Sequence, residues 1–231
     1  MNILVGTSGW SYKEWKGSFY PPKLPAEEML RFYSGHFPVV EVNNSFYRIP
    51  AERVLANWAE QVPEAFRFVL KASRRITHIH RLRDEDDTIA YFLRTVNVLG
   101  AQLGPTLFQC PPTLRKDLGL LRDFLAKVPR TWRAALEFRH DSWFDDEVYG
   151  ALREHDVGLV AVDEDEGATP LVPTATWGYL RLRKTEYASD ELRVWADRIG
   201  AQPWTESFAF LKHDEESVAG PDAAVRLRAM V

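Results

Sequence analysis

The chain has 231 residues, of which 45% are hydrophobic and 27% are charged, and its formal net charge at pH 7 is −4. These values are ordinary for a soluble globular protein, so they suggest neither a disordered chain nor a membrane protein, and the acidic balance gives no global attraction to nucleic acid. One cysteine cannot form an internal disulfide, and neither a secretion signal nor an apolar run of about 18 residues is visible, so we expect a cytoplasmic protein without a membrane partner.

Short apolar runs alternate with amphipathic segments along the chain. The apolar runs predict eight strands, at residues 3–6, 39–43, 66–71, 106–109, 134–138, 158–162, 178–182 and 207–211. The amphipathic segments predict helices at residues 26–36, 51–61, 86–100, 117–128, 145–154, 190–199 and 221–229. Asp117, Asp145 and Asp190 stand where helix N-caps or first-turn acids belong. The connection at residues 164–175 contains two prolines and a glycine, so we expect it to lack a full helix.

The alternation of strands and helices predicts parallel strands joined by right-handed crossovers. Eight such units favour a closed (β/α)8 TIM-type barrel, and an open doubly wound sheet is the alternative. No linker, low-complexity tract or short repeat divides the chain, so we expect residues 1–231 to form a single barrel domain.

Charged and polar residues recur at alternate positions near the carboxyl ends of the predicted strands. Alternate residues of a barrel strand face the interior, and the active sites of such barrels lie at this end, the barrel mouth. A buried carboxylate needs a partner, so the pattern predicts an ion-pair network of Glu41, Glu137 and Asp163 with Lys71, Arg139 and Arg181. For Glu41 alone we favour a purely structural pairing, whereas for the whole group we favour a functional site.

The connection after the first strand, residues 7–22, is long and contains five aromatic residues. These aromatic side chains either stack on a ligand or pack as a small separate core. Ser8 is not the nucleophile of a hydrolase elbow, because Trp10 replaces the last glycine of the G-x-S-x-G pattern.

Residues 74–83 contain four arginines and two histidines. The pattern predicts contacts of Arg74, Arg75 and His78 with an anion or with nucleic acid, and the alternative is a solvated basic loop balanced by the acidic residues 84–87. His78 and His80 have a spacing that some metal sites use, but no matched carboxylate accompanies them, so we assign no metal ligand.

Five ordered blocks of the sequence resemble the YecE-like family, also called domain of unknown function 72. They are GTSGWSYKEWKGSFYPPKLP, EVNNSFYRIP, FRFVLKASRRITH, LGPTLFQCPP and ALEFRHDSW. The resemblance covers nearly the whole chain and implies a TIM-type barrel with a site but without an established reaction. The family pattern usually has leucine at the position of Cys110, which favours a core role for this cysteine.

Two departures from the family pattern make the predicted mouth more basic. The seventh strand of the family tends to end in Arg-His-Gly, whereas Arg181, Leu182, Arg183 and Lys184 stand here. The eighth strand tends to end in an asparagine pair, whereas Lys212 and His213 stand here. The ligand preference of this chain is therefore expected to differ from that of other members, or a shared activity to be lost.

These patterns predict an enzyme that acts on a small anionic substrate, for instance a phosphorylated one. Glu137 or Asp163 is the predicted general base, with Lys71 as a third catalytic candidate. The expected substrate contacts are Trp10, Tyr12, Glu41, Asn43, Tyr47, Gln109, Arg139, His140, Arg181 and Lys212. The alternatives are a nucleic-acid-processing or nucleic-acid-binding barrel, with or without a metal, and a non-catalytic ligand-binding protein. The sequence assigns no cofactor and no oligomeric state.

Overall fold

A computed structural model describes residues 1–83, 86–212 and 219–231. The strands are β1 (Asn2–Ser8), β2 (Val39–Val42), β3 (Arg67–Lys71), β4 (Leu103–Gln109), β5 (Ala134–Glu137), β6 (Gly158–Glu164), β7 (Gly167–Ala168), β8 (Trp177–Leu182) and β9 (Glu206–Leu211). The α-helices are α1 (Met29–Ser34), α2 (Glu52–Glu60), α3 (Asp86–Val96), α4 (Leu118–Lys127), α5 (Asp146–Glu154), α6 (Ser189–Gly200) and α7 (Ala219–Arg228).

Eight parallel strands form a closed barrel in the order β1-β2-β3-β4-β5-β6-β8-β9, and β9 pairs again with β1. The predicted TIM-type barrel is thus confirmed, and the open-sheet alternative is wrong. The short strand β7 is antiparallel to β6 and lies outside this ring. The described part of the chain contains no helix that is long and apolar enough to cross a membrane.

Apolar side chains form two layers on the two faces of the barrel strands. The inner layer includes Leu4, Val39, Val69, Leu107, Ala135, Val160, Val162, Trp177, Tyr179, Phe208 and Phe210. The outer layer packs the alternate strand residues against the helices. Because both faces are covered, runs such as Val39–Val42 are wholly buried.

The predicted helices are found, with local differences at several ends. Residues 26–36 begin with a 3₁₀ turn at Ala26–Glu28 before α1. Beyond α3, the chain tightens into a 3₁₀ segment at Asn97–Gln102, within which Gly100 has a φ of 53°. The connection after β6 has no helix among its residues, as expected, and instead forms the β6–β7 hairpin.

Side-chain caps begin two of the helices at the positions that the sequence predicts. Asp117 accepts a hydrogen bond from the Leu120 amide at 3.0 Å, and Asp145 accepts one from the Val148 amide at 3.0 Å. These acceptors satisfy amide groups that have no partner within the helix. Asp190 lies in the first turn of α6, where the Glu191 carboxylate accepts from the Ala188 amide at 2.9 Å.

Candidate functional site

A cavity of about 620 Å³ opens at the barrel mouth. All eight barrel strands supply its lining, either from their last residues or from residues within two positions beyond them. The lining side chains that carry charge or hydrogen-bonding groups at these positions are Ser8, Asn43, Lys71, Gln109, Arg139, Glu164, Arg181, Arg183 and Lys212. This is the place and size expected of a small-molecule site in such a barrel.

Glu41 lies fully buried beneath this cavity and is saturated with hydrogen bonds. Its Oε1 accepts from Ser8 Oγ at 2.8 Å, from Asn43 Nδ2 at 2.9 Å and from an Arg181 terminal nitrogen at 2.8 Å. Its Oε2 accepts from the Tyr179 hydroxyl at 2.7 Å. Burial alone would raise the pKa of Glu41, but the charge and hydrogen bond of Arg181, together with the hydrogen bonds of Tyr179 and Asn43, outweigh burial and lower this pKa.

Arg181 joins Glu41 to a second buried carboxylate on the other side of the barrel. Its other terminal nitrogen donates to Glu137 Oε2 at 2.7 Å, and only 2% of the Arg181 side chain is exposed. Glu137 Oε1 accepts from Arg139 Nε at 2.7 Å and from Gln109 Nε2 at 2.8 Å. Burial alone would raise the pKa of Glu137, but the charges of Arg181 and Arg139 lower it to about 2. Glu137 is therefore an ionised anchor and a weak base at neutral pH.

Gln109 connects this network to Lys71. Its Oε1 accepts from Lys71 Nζ at 2.8 Å while its Nε2 donates to Glu137, and Lys71 Nζ lies 4.1 Å from the centre of the Phe46 ring. Burial, followed by the positive charge of Arg181, lowers the pKa of Lys71 to about 8. The Lys71 side chain therefore loses its proton more readily than an exposed lysine does.

Two further guanidinium groups converge on one carboxylate oxygen at the rim of the cavity. A terminal nitrogen of Arg139 and the Nε of Arg183 each lie 3.3 Å from Glu164 Oε1. All three side chains are partly exposed, at 30%, 24% and 33% for Arg139, Arg183 and Glu164. Two cations that share one acceptor at this distance form an incompletely satisfied site for an anionic oxygen.

The structure places Asp163 outside the mouth, so its predicted position is wrong. On β6, Val160 and Val162 pair with the inward residues Tyr179 and Arg181 of β8, and Asp163 therefore faces outward. Its Oδ2 accepts from the Tyr187 hydroxyl at 3.0 Å and from Trp195 Nε1 at 2.9 Å. Asp163 thus anchors α6 to the barrel.

His140 and Trp10 also lie elsewhere than predicted, because neither belongs to the lining of the mouth cavity. His140 Nδ1 accepts from the Ser142 amide at 3.1 Å and caps the short helix that follows β5. Trp10 lines a second cavity beside the mouth, whereas Tyr12 and Asn43 line both cavities. Tyr47 lines the mouth and has 72% of its surface exposed.

Arg181, an expected substrate contact, is committed to the buried ion-pair network. Both terminal nitrogens of Arg181 are occupied by Glu41 and Glu137, so this side chain serves first as the counter-ion of two buried carboxylates. Its Nε is buried and has no hydrogen-bond partner within the described residues, although Arg181 belongs to the cavity lining.

The aromatic connection after β1 divides between the two roles that its sequence allowed. Trp15 and Tyr20 are buried in the outer core, where Phe19 packs against both rings. Trp10 and Tyr12 instead line cavities. Ser8 donates to Glu41, which gives this serine a structural task rather than that of an activated nucleophile.

The basic segment after β3 forms a π-helical turn at Arg75–Ile79. Its residue His78 reaches the mouth cavity, whereas Arg74 and Arg75 are exposed and do not line it. Burial, followed by the charge of Lys71, lowers the pKa of His78. The acidic residues 84 and 85, and His213 at the end of the last strand, lie outside the described residues.

Sequence reasoning did not assign Glu164, Phe46 or Tyr179 to the site. Tyr179 and Glu164 are readable from the inward alternation of their strands, once the inward face is known. Phe46 carries no such signal, because the 3₁₀ turn Asn44–Phe46 turns it toward Lys71.

Across residues 1–83, 86–212 and 219–231, no three His, Cys, Asp or Glu side chains are grouped to hold a metal. Cys110 is buried, which raises the pKa of its thiol.

Comparison with known proteins identifies the relatives of this chain. The family described as "Protein of unknown function DUF72" matches residues 4–231. UPF0759 protein YunF of Bacillus subtilis is 32% identical over 159 residues, which are 64% of this chain and 54% of that protein. UPF0759 protein YecE of Escherichia coli K12 is 32% identical over 143 residues, 62% of this chain and 50% of that protein. The matches thus span about half the length of these curated relatives.

Solved structures give the same result for the fold. A DUF72 family protein from Thermotoga maritima is 26% identical to this chain and superimposes on it with a TM-score of 0.88. The superposition covers 100% of this chain and 99% of the Thermotoga chain. A DUF72 family protein from Enterococcus faecalis is 19% identical to this chain and superimposes on it with a TM-score of 0.82. The superposition covers 99% of this chain and 94% of the Enterococcus chain.

Proposed function

The chain belongs to the DUF72 family, and on this premise we propose that it is an enzyme that acts on a small anionic substrate in the barrel mouth. The observation that carries the proposal is the position of Lys71, whose pKa is lowered to about 8 beside several cationic side chains in a cavity of about 620 Å³. An amine that is partly neutral near physiological pH is suited to proton transfer.

In this proposal the anionic group of the substrate binds between Arg139 and Arg183. Glu164 Oε1 now lies 3.3 Å from each guanidinium group, which marks where an anionic oxygen of a ligand would lie. Lys212, which lines the same cavity, adds a third positive charge. Phosphate and carboxylate oxygens are the partners that paired guanidinium groups recognise most strongly.

Neutral Lys71 is the general base. It would remove a proton from the substrate and become an ammonium group, while the negative charge that develops on the substrate is stabilised by Arg139 and Arg183. Glu137 is a positioning residue, because its charge is held by two arginines and it reaches Lys71 only through Gln109. Asp163 has no part in this step.

The anion site is tested with inorganic phosphate, by calorimetric titration and by the shift in melting temperature. Arg183→Gln should weaken phosphate binding at least tenfold, whereas Arg75→Gln, an exposed arginine outside the cavity, should leave it unchanged. Glu164→Gln should strengthen phosphate binding, because the competing carboxylate is removed. Equal phosphate affinity of Arg183→Gln and wild type would contradict the proposed site.

Proton transfer is tested by incubating the protein in D₂O with a set of phosphorylated and carboxylated metabolites. The expected result is incorporation of deuterium at carbon by wild type and by Arg75→Gln, and none by Lys71→Met. Saturable binding without deuterium incorporation or turnover, for every metabolite that binds, would instead favour a non-catalytic ligand-binding protein.

A second candidate function is nucleic-acid binding through the exposed arginines of the segment after β3. Arg74, Arg75 and Arg81 are exposed, whereas Arg83 is paired with Asp117 at 3.4 Å. Oligonucleotide affinity that falls steeply with salt, and that is lost in a triple Arg74→Gln, Arg75→Gln and Arg81→Gln variant but retained in Arg183→Gln, would favour this function.

A further inference from the structure

A second cavity of about 620 Å³ lies beside the mouth, between the aromatic connection after β1 and helix α2. Trp10 and Trp58 meet in its wall edge to face, with ring centres 5.0 Å apart. Trp58 is fixed from behind by Phe68, with ring centres 6.1 Å apart and nearly parallel planes. The aromatic part of this wall is therefore rigid and is anchored to the barrel core.

Four carboxamide side chains belong to the polar lining of this second cavity. They are Asn43, Asn44, Asn57 and Gln61. Gln61 Nε2 donates to Asn57 Oδ1 at 2.6 Å, which fixes the Asn57 amide, and Asn57 Nδ2 has no acceptor among the residues that the structure describes. Asn44 and Asn57 are both exposed. The wall therefore offers hydrogen-bond donors and acceptors that carry no charge.

The charges of the two cavities differ sharply. The mouth is lined by five basic side chains and two acidic ones, which are Lys71, Arg139, Arg181, Arg183, Lys212, Asp141 and Glu164. The second cavity contains one acid, Glu27, and one base, Arg48. A charged ligand group is therefore favoured in the mouth, and an uncharged group with an apolar face is favoured against the tryptophans.

Two side chains, Tyr12 and Asn43, belong to the walls of both cavities. The Tyr12 hydroxyl donates to the Ser8 carbonyl at 2.7 Å, and Asn43 Nδ2 donates to Glu41. Both are thus tied to the ends of β1 and β2 and form a partition between the two cavities. A ligand of moderate length can lie over this partition and occupy both cavities.

We infer that the second cavity holds a neutral, hydrogen-bonding ring of the substrate, a nucleobase or a sugar ring, while the attached phosphate or carboxylate occupies the mouth. This inference rests on the proposed function, because it assigns the anionic end of the same molecule to Arg139 and Arg183. It adds a second site and a substrate class, namely a ring joined to an anionic group, such as a nucleotide or a sugar phosphate. Tryptophan faces recognise both ring types, and carboxamides complement their hydrogen-bonding edges.

The test compares three probes by calorimetric titration: inorganic phosphate, adenosine 5′-monophosphate and glucose 6-phosphate. Wild type should bind at least one ring-bearing probe ten times or more tightly than phosphate. A preference for adenosine 5′-monophosphate identifies a nucleobase site, and a preference for glucose 6-phosphate identifies a sugar site. Equal affinity of wild type for all three probes would overturn the inference.

Variants separate the two ends of the ligand. The double variant Asn44→Ala, Asn57→Ala should lose the advantage of the ring-bearing probe but keep wild-type phosphate affinity. Asn97→Ala, an exposed asparagine in the 3₁₀ segment after α3 that does not line the second cavity, is the matched control and should behave as wild type. Retention of the full ring advantage in the double variant would overturn the inference.

The two proposals fail in different ways. If phosphate binds and Arg183→Gln weakens it, but no ring adds affinity, the mouth site stands and the second cavity is not part of it. If a ring-bearing probe binds and Arg183→Gln leaves its affinity unchanged, the anion site of the mouth is wrong.

Discussion

Glu41 combines complete burial with four hydrogen bonds, one of which is also its ion pair with Arg181. Glu41→Gln keeps the volume of the side chain but leaves Arg181 with one carboxylate instead of two. Removal of one partner from a buried ion pair costs about 3–5 kcal/mol, so we expect the free energy of unfolding in urea to fall by that order.

The control is Glu60→Gln at the exposed end of α2, which should change the free energy of unfolding by less than about 0.5 kcal/mol. An unchanged urea midpoint for Glu41→Gln would contradict the pairing described for Glu41.

Glu137 should make the protein sensitive to acid. Its pKa lies near 2 in the folded state against an ordinary value of 4.5, so the unfolded chain binds the proton more readily. The stabilisation is complete above pH 4.5 and is lost as the pH falls through about 2. Over this window one carboxylate contributes up to roughly 1.4 kcal/mol per pH unit to the slope of stability.

The free energy of unfolding, measured in urea at several pH values from 5 to 2, should therefore change less with pH for Glu137→Gln than for wild type. The variant should nevertheless be less stable than wild type at pH 7. If the free energy of unfolding changed equally with pH in the two proteins, Glu137 would bind its proton equally well in the folded and the unfolded state.

The alternation of residues along single strands predicted Glu41, Lys71, Glu137 and Arg139 at the mouth. In the structure Lys71 and Arg139 line the mouth cavity, whereas Glu41 and Glu137 are fully buried and do not line it. The same reasoning failed for Asp163, because β6 is buried on both faces and its apolar residues do not reveal which face is inward. The outward carboxylate is satisfied by Tyr187 and Trp195, which come from a later part of the chain. The sequence alone cannot show such distant partners.

The connection after β1 depends on the backbone of Gly9. Its φ of 99° is in the region that favours glycine, and a Cβ at this position would lie 2.4 Å from the Tyr12 hydroxyl oxygen. We expect Gly9→Ala to displace Tyr12 from the partition and to destabilise the protein by more than about 1 kcal/mol.

The measurement is the melting temperature together with affinity for phosphate and for the preferred ring-bearing probe. Gly17→Ala, whose φ is 88° but whose Cβ would contact no atom within 4 Å, is the control for backbone strain alone. A Gly9→Ala variant no more affected than Gly17→Ala would show that the position of Tyr12 does not depend on Gly9.

Helix and strand positions were largely predictable, because hydrophobic period and capping residues act locally. Asp117 and Asp145 cap α4 and α5 as their positions indicate. The strand β7 and the π-helical turn Arg75–Ile79 were not predicted. The two residues of β7 are too few to show a periodic pattern. Thr169 fixes the β6–β7 hairpin, because its amide donates to the Val162 carbonyl and its hydroxyl accepts from the Val162 amide.

The network of Glu41, Arg181 and Glu137 joins β2, β8 and β5. Every barrel strand is paired on both sides, so unfolding of one strand should expose the edges of its two neighbours and the barrel core. We therefore expect one cooperative unfolding transition, with equal calorimetric and van't Hoff enthalpies. Two calorimetric transitions, or release of a stable half by limited proteolysis, would contradict this.

The span of the Glu41–Arg181 pair has a consequence for synthesis of the protein on the ribosome. Arg181 is 140 residues after Glu41, so the carboxylate of β2 leaves the exit tunnel long before its counter-ion has been translated. An unpaired carboxylate is costly to bury, so we expect β1 to β4 not to reach their final packing while the chain is still nascent. We expect the barrel to stay open, with the Glu41 carboxylate in water, until β8 is available to close it.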